Sequence, residues 1–411
     1  MKTALNKLRL IDLTHMLSGP YASMILADLG FDTVKVEPPG SGEGTRRLLE
    51  TDPKNSIGGM GAYYFTLNRN KRSVAIDLKS EAGLEYFFEL VNAADVVLDN
   101  FSAGVTERLG IDYAKLSQIN PQIITCSVSG FGSDGPHYNR PAFDQIVQGL
   151  GGGMSITGKN ADDQVRAGIP IGDLAGGMFA VMGIQAALLS RQITGVGQHV
   201  DISMLDCQIS LLNYMATMYS LSGEVPSPIG NSHFVHTPYN TFKTLDDIII
   251  AVIGDKFWPA VVDLVDVDEL RDVRFSTAPV RLAEKAFIEG KLNEALATKS
   301  ADHWLAELEK ARIPCARVNN LAQALSDPQV RHRNMMIDLA HPQGSSAEVP
   351  GNPIKLSEVQ DEEFTAPPLL GAHTREVFAE WTELDDARIS EGLANGHIAE
   401  FVEPQQQEQA V

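Results

Sequence analysis

Apolar and polar positions alternate along the first half of the chain in two kinds of block. Leu8 to Leu13 reads as a short buried strand, Ser18 to Leu29 as a helix stopped by Gly30, and Asp32 to Glu37 as a second strand. The alternation continues with strands at Ser73 to Asp77, Asp95 to Asp99 and Ile123 to Val128, and helices at Ser80 to Asn92 and Tyr113 to Ile119. Long helical patterns at Leu174 to Arg191 and Met204 to Leu221 bracket a strand at His199 to Ile202. Strands alternating with helices predict a parallel sheet covered on both faces, a doubly wound, Rossmann-like α/β domain.

Past this region the composition shifts. Pro226, Pro228, Gly230, Asn231 and Pro238 mark a linker over 222–239, after an N-terminal α/β part over 1–221. Thr241 to Ile253 predicts a hairpin turning at Leu245-Asp246-Asp247, followed by helices to about Ala311 and a closing strand at Pro314 to Val318. A smaller α+β domain over 240–318 follows, then a return segment over 319–411 that completes the large domain. That segment carries a helix near Thr374 to Glu380 and a polar tail, expected to be disordered, from about 403.

Charge narrows the partners. With 33 basic and 53 acidic residues the chain carries a formal −20, which repels nucleic acid and anionic membrane surfaces. No apolar run approaches the roughly 20 residues of a bilayer span, and no secretory leader precedes Asp12. Cys126, Cys207 and Cys315 are too far apart for a zinc cluster and odd in number, so no metal is expected and the cytoplasm is the expected compartment.

Three stretches could carry chemistry. Gly172-Asp173 opens the long helical pattern, where an aspartate is first of all a plain helix cap. Gly176-Gly177 in the first turn, each about 1 kcal/mol worse than alanine in a helix, indicate that something needs the space. A carboxylate there, beside backbone N–H groups able to stabilise an oxyanion and with room for an acyl group, is a candidate nucleophile. Asn68-Arg69-Asn70-Lys71-Arg72-Ser73 with Lys79 is either an ordinary solvated turn or a cradle for phosphates. Asn100 to Gly110 follows a strand end, where Phe101 could stack on a base and Arg108 could meet a phosphate. The Gly149 to Gly153 run lacks the setting of a dinucleotide loop and reads as a tight turn.

These residues resemble the class III CoA transferases. The resemblance spans nearly the whole chain and rests on Ile11-Asp12-Leu13-Thr14-His15, Ser18-Gly19-Pro20, Val34 to Glu37, Asn70 to Ser73, Asp77-Leu78-Lys79, Asn100-Phe101 with Gly104 and Arg108, and Gly172-Asp173. It continues through Gly195 to Gln198, Ile313-Pro314-Cys315, Asp327 to Val330 and Leu370 to Thr374. It implies an interlocked homodimer in which Asp173 attacks an acyl-CoA thioester, stores CoA as an aspartyl thioester and passes it to a carboxylic acid. At an ordinary aspartate pKa of about 3.9 no general base is needed, and CoA is substrate, not cofactor. Carried over, the CoA contacts are Leu17 and Ser18, Ile76, Asp77, Leu78 and Lys79, Asn100, Phe101 and Ser102, Arg108, and Pro141, Ala142, Phe143 and Asp144, with Arg72 from the basic cluster.

Two departures separate the chain from members that handle formyl and oxalyl groups. Leu17 and Pro38 stand where those have a glutamine and an arginine, and Gly230 to His236 replaces a glycine-rich lid. His233 or His236 is then a candidate to bind the distal carboxylate of a dicarboxylic acid, with succinyl-CoA the expected donor. Racemases of the same fold place a histidine where this chain has Phe143, which cannot move a proton, so transfer is favoured over racemisation. A non-catalytic acyl-CoA-binding protein is the third reading, and the retained Gly172-Asp173 argues against it.

Overall fold

The protein is described by a computed structural model covering residues 4–245, 247–359 and 362–402. The tail from 403 and Asp246 of the expected hairpin turn lie outside these residues. The chain forms two compact units, one from Met1–Gly152, Ala167–Ser220 and His332–Val411, the other from Gly153–Arg166 and Leu221–Arg331.

The larger unit is built on one mostly parallel sheet. Its strands are β1 (Arg9–Asp12), β2 (Asp32–Glu37), β3 (Lys71–Ile76), β4 (Val96–Asp99), β5 (Ile124–Ser129) and β6 (His199–Ser203). They lie in the order β3-β2-β1-β4-β5-β6, all parallel, with Ile398–Ala399 antiparallel on the outer edge of β3. The order reverses between β1 and β4, and such a switch point opens a crevice beyond the strands' C-terminal ends.

Helices cover both faces because successive strand residues point to opposite sides. Leu10, Leu98, Ile124 and Cys126 pack with helices Ser18–Asp28 and Ile171–Thr194 on one face. Ile11, Val34, Val97 and Val74 pack with helices Glu81–Ala93 and Thr374–Trp381 on the other. Helix Glu81–Ala93 shows why such segments fold as they do. Phe87, Leu90 and Val91 recur on one stripe and are buried, and the Ser80 hydroxyl accepts the Gly83 N–H at the start. Each such fully buried side chain stabilises the unit by about 1.5–3 kcal/mol.

Several elements differ from the expectation. The stretch from Met204 is two helices, Met204–Leu212 and Tyr214–Ser222, broken at Asn213 with φ of 48°. The return segment contributes more than one helix: strands Met336–Ala340 and Ser346–Pro350 pair antiparallel, and helix Asp386–Ala394 precedes the edge strand. Helix Ile171–Thr194 is, among the described residues, long and apolar enough to cross a membrane by length and composition; it packs against the sheet, and half of its most apolar stretch is buried, as in a core helix.

In the smaller unit Tyr239–Lys243, Asp247–Ala251 and Cys315–Arg317 form an antiparallel sheet. Phe242, Ile250, Trp258, Leu292 and Trp304 make its core with three helices, Trp258–Val265, Lys285–Leu296 and Ala301–Lys310.

Candidate active site

Strand β1 ends in a buried carboxylate, Asp12. Lys71 Nζ lies 2.9 Å from it, Lys35 Nζ 3.9 Å, and the Ser23 hydroxyl donates at 2.8 Å. Lys35 also donates to the Thr14 carbonyl at 2.8 Å, which anchors the loop leaving the strand. That loop is clamped to the end of β4: the His15 N–H donates to Asn100 Oδ1 and Asn100 Nδ2 to the His15 carbonyl, both at 2.8 Å. A side chain at Gly19 would strike Thr14 at 2.4 Å, so the helix beginning at Ser18 approaches this clamp only because residue 19 is glycine.

Beyond the clamp lies a cavity of about 600 Å³ in the larger unit. Ile76, Asp77, Leu78, Lys79, Phe101 and Arg108 line it together with His15, Pro38 and Pro39. Six of the expected CoA contacts therefore share one cavity at the strand C-terminal ends. Phe101 packs on His15 with ring centroids 4.9 Å apart, and burial pushes the His15 pKa down, so its ring is neutral at pH 7. Lys79 and Arg108 are exposed and form no ion pair among the described residues. They are free cations beside an apolar wall.

The basic cluster ahead of them behaves differently from either expectation. Arg69 pairs with Asp28 at 2.7 Å and Lys71 with Asp12, and both are buried. Arg72 is held by Asp32, Glu376 and Glu380 at 2.6–3.0 Å. The cluster is neither a solvated turn nor an open cradle: its cations are neutralised by carboxylates of this chain, and Arg72 has little left to offer a phosphate.

Asp173 lies within helix Ile171–Thr194, not at its cap, which is Pro170. The cap is supplied from elsewhere: Asp144 Oδ1 accepts the Gly172 N–H at 2.8 Å and the Asp173 N–H at 3.4 Å. Asp144 Oδ2 is held by Gln148 Nε2 at 2.7 Å, and Gln148 Oε1 accepts the Ala167 N–H. The Ile171 and Leu174 N–H groups donate to Ile169 and Pro170 carbonyls. All four N–H groups of the first turn are thus engaged, and the helix start is not a ready oxyanion hole. The glycines also have another purpose than acyl room. A Cβ at Gly176 would lie 2.7 Å from Ser18 Oγ, and one at Gly177 would lie 2.7 Å from the Ser18 carbonyl, so the pair lets helix Ser18–Asp28 pack close.

Burial raises the Asp173 carboxyl pKa to about 6, and the Asp144 charge adds to it. This corrects the expectation of an ordinary aspartate, although the group is still mostly ionised at pH 7. Leu17 precedes helix Ser18–Asp28, and Ser18 is buried with its hydroxyl unpartnered among the described residues. Ser102 and Pro141 are exposed, Ala142 packs at Gly130, and Phe143, 67% exposed, precedes helix Asp144–Leu150.

His233 and His236 belong to the smaller unit. The His233 ring stacks with Phe234, His236 and Tyr239 at centroid distances of 4.5–5.0 Å. Its Nδ1 accepts the Val235 and His236 N–H groups, which leaves Nε2–H as its donor. His236 Nδ1 is buried without a partner among the described residues.

Two further groups carry no local signal in the sequence. The Tyr63 phenol is raised to about 12 by burial and by the charges of Asp173, Glu43 and Asp144, which places it in the field of the candidate nucleophile. Nothing in the short helix Ala62–Leu67 marks it locally. Asp99 is buried beside a second cavity of about 370 Å³ on the β4–β6 side of Phe101, and burial raises its pKa to about 6. Among the described residues no group of three or more His, Cys, Asp or Glu side chains could hold a metal.

A two-faced mostly parallel sheet, a cavity beside unpaired cations at its switch point and a half-buried carboxylate at a glycine-rich helix start define an α/β protein with a ligand-sized site at its strand ends. The model of CoA-transferase family III matches residues 5–374, and the chain belongs to that family. It is 38% identical to the acetyl-CoA:oxalate CoA-transferase of Acetobacter aceti over 90% of this chain and 95% of that protein. It is 33% identical to the human succinyl-CoA:glutarate CoA-transferase over 96% of this chain and 90% of that one. A solved CaiB/BaiF family protein from Brucella suis superposes with a TM-score of 0.81 at 35% identity, covering 93% of this chain and all of that one. The protein is a family III CoA-transferase, and neither racemisation nor passive acyl-CoA binding is favoured.

Proposed function

We propose that the enzyme moves CoA from an acyl-CoA donor, succinyl-CoA in the simplest case, to a small dicarboxylic acid through covalent intermediates on Asp173. One observation carries the reading: Asp173 is a partly buried carboxylate at a helix start with no cation partner among the described residues. Such a group keeps its electron pair available, and a raised pKa strengthens it as a nucleophile while leaving it mostly ionised at pH 7.

In this scheme an Asp173 oxygen attacks the thioester carbonyl, the C–S bond breaks, and a mixed anhydride forms with release of CoA thiolate. The thiolate attacks the aspartyl carbonyl, expelling the donor acid and leaving an Asp173–CoA thioester. The acceptor carboxylate reverses the two steps. Overall one CoA thioester replaces another, so the exchange conserves thioester energy and an ionised Asp173 needs no base to attack, provided water is kept out. Phe101 and the apolar wall of the 600 Å³ cavity hold the nucleotide part of CoA, with Lys79 and Arg108 meeting its phosphates.

Dicarboxylate preference is supported by the two relatives, whose names pair CoA donors with oxalate and glutarate. Within the smaller unit we assign carboxylate binding to the Nε2–H of His233, with His236 beside it. We further place the active enzyme as a homodimer, because Met182, Leu189 and Ile193 on the long helix and Tyr214 after it are 51–87% exposed. We place it in the cytoplasm, where its three unpaired cysteines stay reduced.

The test is a mixture of succinyl-CoA, acetyl-CoA and a 2-methylacyl-CoA in heavy water with a pool of carboxylic acids, read by mass spectrometry. New dicarboxyl-CoA species are the expected result. Deuterium gained by the 2-methylacyl-CoA without new species overturns the proposal in favour of racemisation.

A further inference from the structure

Asp144 and Asp173 are joined by geometry, not by sequence proximity. Helix Asp144–Leu150 lies against the first turn of helix Ile171–Thr194, so closely that a Cβ on Gly172 would meet Val147 at 2.6 Å and Asp144 Oδ1 at 3.1 Å. Glycine at 172 is what lets the Asp144 carboxylate reach the helix start. Both its oxygens are spoken for, Oδ1 by the Gly172 and Asp173 N–H groups and Oδ2 by Gln148, which itself holds the Ala167 N–H at the far side of the turn.

We propose that Asp144 is a positioning residue: its carboxylate caps the turn that carries Asp173 and lays a fixed negative charge beside it. The role rests on the reading of Asp173 as nucleophile and replaces the CoA contact expected of residue 144. Two effects oppose each other. The cap orients the reacting carboxylate on a rigid element, which favours the reaction at every pH. The charge disfavours ionisation of Asp173 and makes its carboxylate more basic, so it holds back activity in mild acid while sharpening the nucleophile above it.

Other groups facing Asp173 act less directly. The Tyr63 phenol from helix Ala62–Leu67 is neutral at working pH, and Glu43 is coupled to that phenol. Tyr21, from helix Ser18–Asp28, lies against Gly177 one turn further on, and burial raises its pKa too. Asp144 is the anion that bonds to the turn itself.

Two substitutions separate cap from charge. Asp144→Asn keeps an acceptor for the Gly172 N–H while removing the charge and, since its Nδ2 cannot accept, the Gln148 bond; Asp144→Ala removes the cap as well. The full-length enzyme labelled with ¹³C at aspartate carboxyls reports the Asp173 midpoint directly, its signal assigned by its absence in Asp173→Asn, alongside the pH profile of kcat/KM. In Asp144→Asn the Asp173 midpoint and the acid limb of kcat/KM fall together by roughly one unit. In Asp144→Ala the Gly172 amide exchanges at least about tenfold faster and the kcat plateau falls by about tenfold or more. An unchanged Asp173 midpoint in the asparagine variant, or unchanged Gly172 exchange in the alanine variant, overturns the proposal. A midpoint that moves without the rate upholds the Asp144 coupling and overturns Asp173 as nucleophile, so the two failures are told apart.

Discussion

Asp12 and Asp173 are both aspartates withdrawn from water in the larger unit, yet their surroundings drive them in opposite directions. Burial alone pushes Asp12 up, but Lys35, Lys71 and the hydrogen bonds from Thr14 and Lys71 outweigh it and hold its carboxyl well below the usual range. Asp173 is less buried, has no cation partner among the described residues, and faces Asp144, so burial and like charge add and its pKa reaches about 6. Neighbours, not depth, decide the sign. A carboxylate locked between two lysines holds the fold; one left without a counter-charge is available for chemistry.

The strongest way to break this contrast is to remove the structural member. Asp12→Ala leaves Lys35 and Lys71 buried without their anion and is expected to lower unfolding free energy by about 3–5 kcal/mol in urea titrations at pH 7. A loss below about 1 kcal/mol means the lysines find other partners and the contrast is overstated.

Asp99 sharpens the comparison as a third case, buried like Asp12 but uncompensated like Asp173. The Ser127 hydroxyl and the Phe101 N–H bond to it, yet burial prevails and lifts its pKa from 3.8 to about 6. The folded form therefore holds this proton more tightly than the unfolded chain. Its contribution is neutral below about pH 4, turns unfavourable between pH 4 and 6, and is fully unfavourable above 6 by about 3 kcal/mol. Asp99→Asn is expected to raise unfolding free energy at pH 8 by a sizeable part of that amount and to lose the advantage at pH 4. Equal differences at both pH values contradict it.

The smallest effect contrasts free and committed cations. Arg108→Ala is expected to raise KM for acyl-CoA about tenfold, whereas Arg72→Ala leaves KM within about twofold and lowers stability by roughly 1 kcal/mol. Steady-state kinetics on both variants checks the pair, and a larger KM change for Arg72 means that its carboxylates yield it to CoA.

How far these features could be read from the sequence follows the range of the interactions. Strand Asp32–Glu37 and helix Tyr113–Ile119 fall where the apolar pattern puts them, because their signals, such as the Asp112 cap, lie within a turn of the element. Strands Met336–Ala340 and Ser346–Pro350 bury only alternate residues across a short hairpin, too few to stand out. The pairing of the cations at 69, 71 and 72 has no local signal, because Asp28, Asp12 and Asp32 lie 40–59 residues upstream. The same distance problem hid the space taken at Gly176-Gly177 by Ser18 and the cap given to Gly172 by Asp144. Asp173 itself was legible, since its helix start and glycines are local; its raised pKa was not.

The most direct test of the central claim follows oxygen. Several turnovers with an acceptor dicarboxylate labelled with ¹⁸O in its carboxyl groups, then digestion and mass spectrometry, locate any label left on the protein. The account predicts ¹⁸O in the side-chain carboxyl of Asp173, because the acceptor's oxygen bridges the anhydride and stays with aspartate when thiolate takes the acyl group. Acyl-CoA formed from the labelled acid while Asp173 stays unlabelled contradicts it.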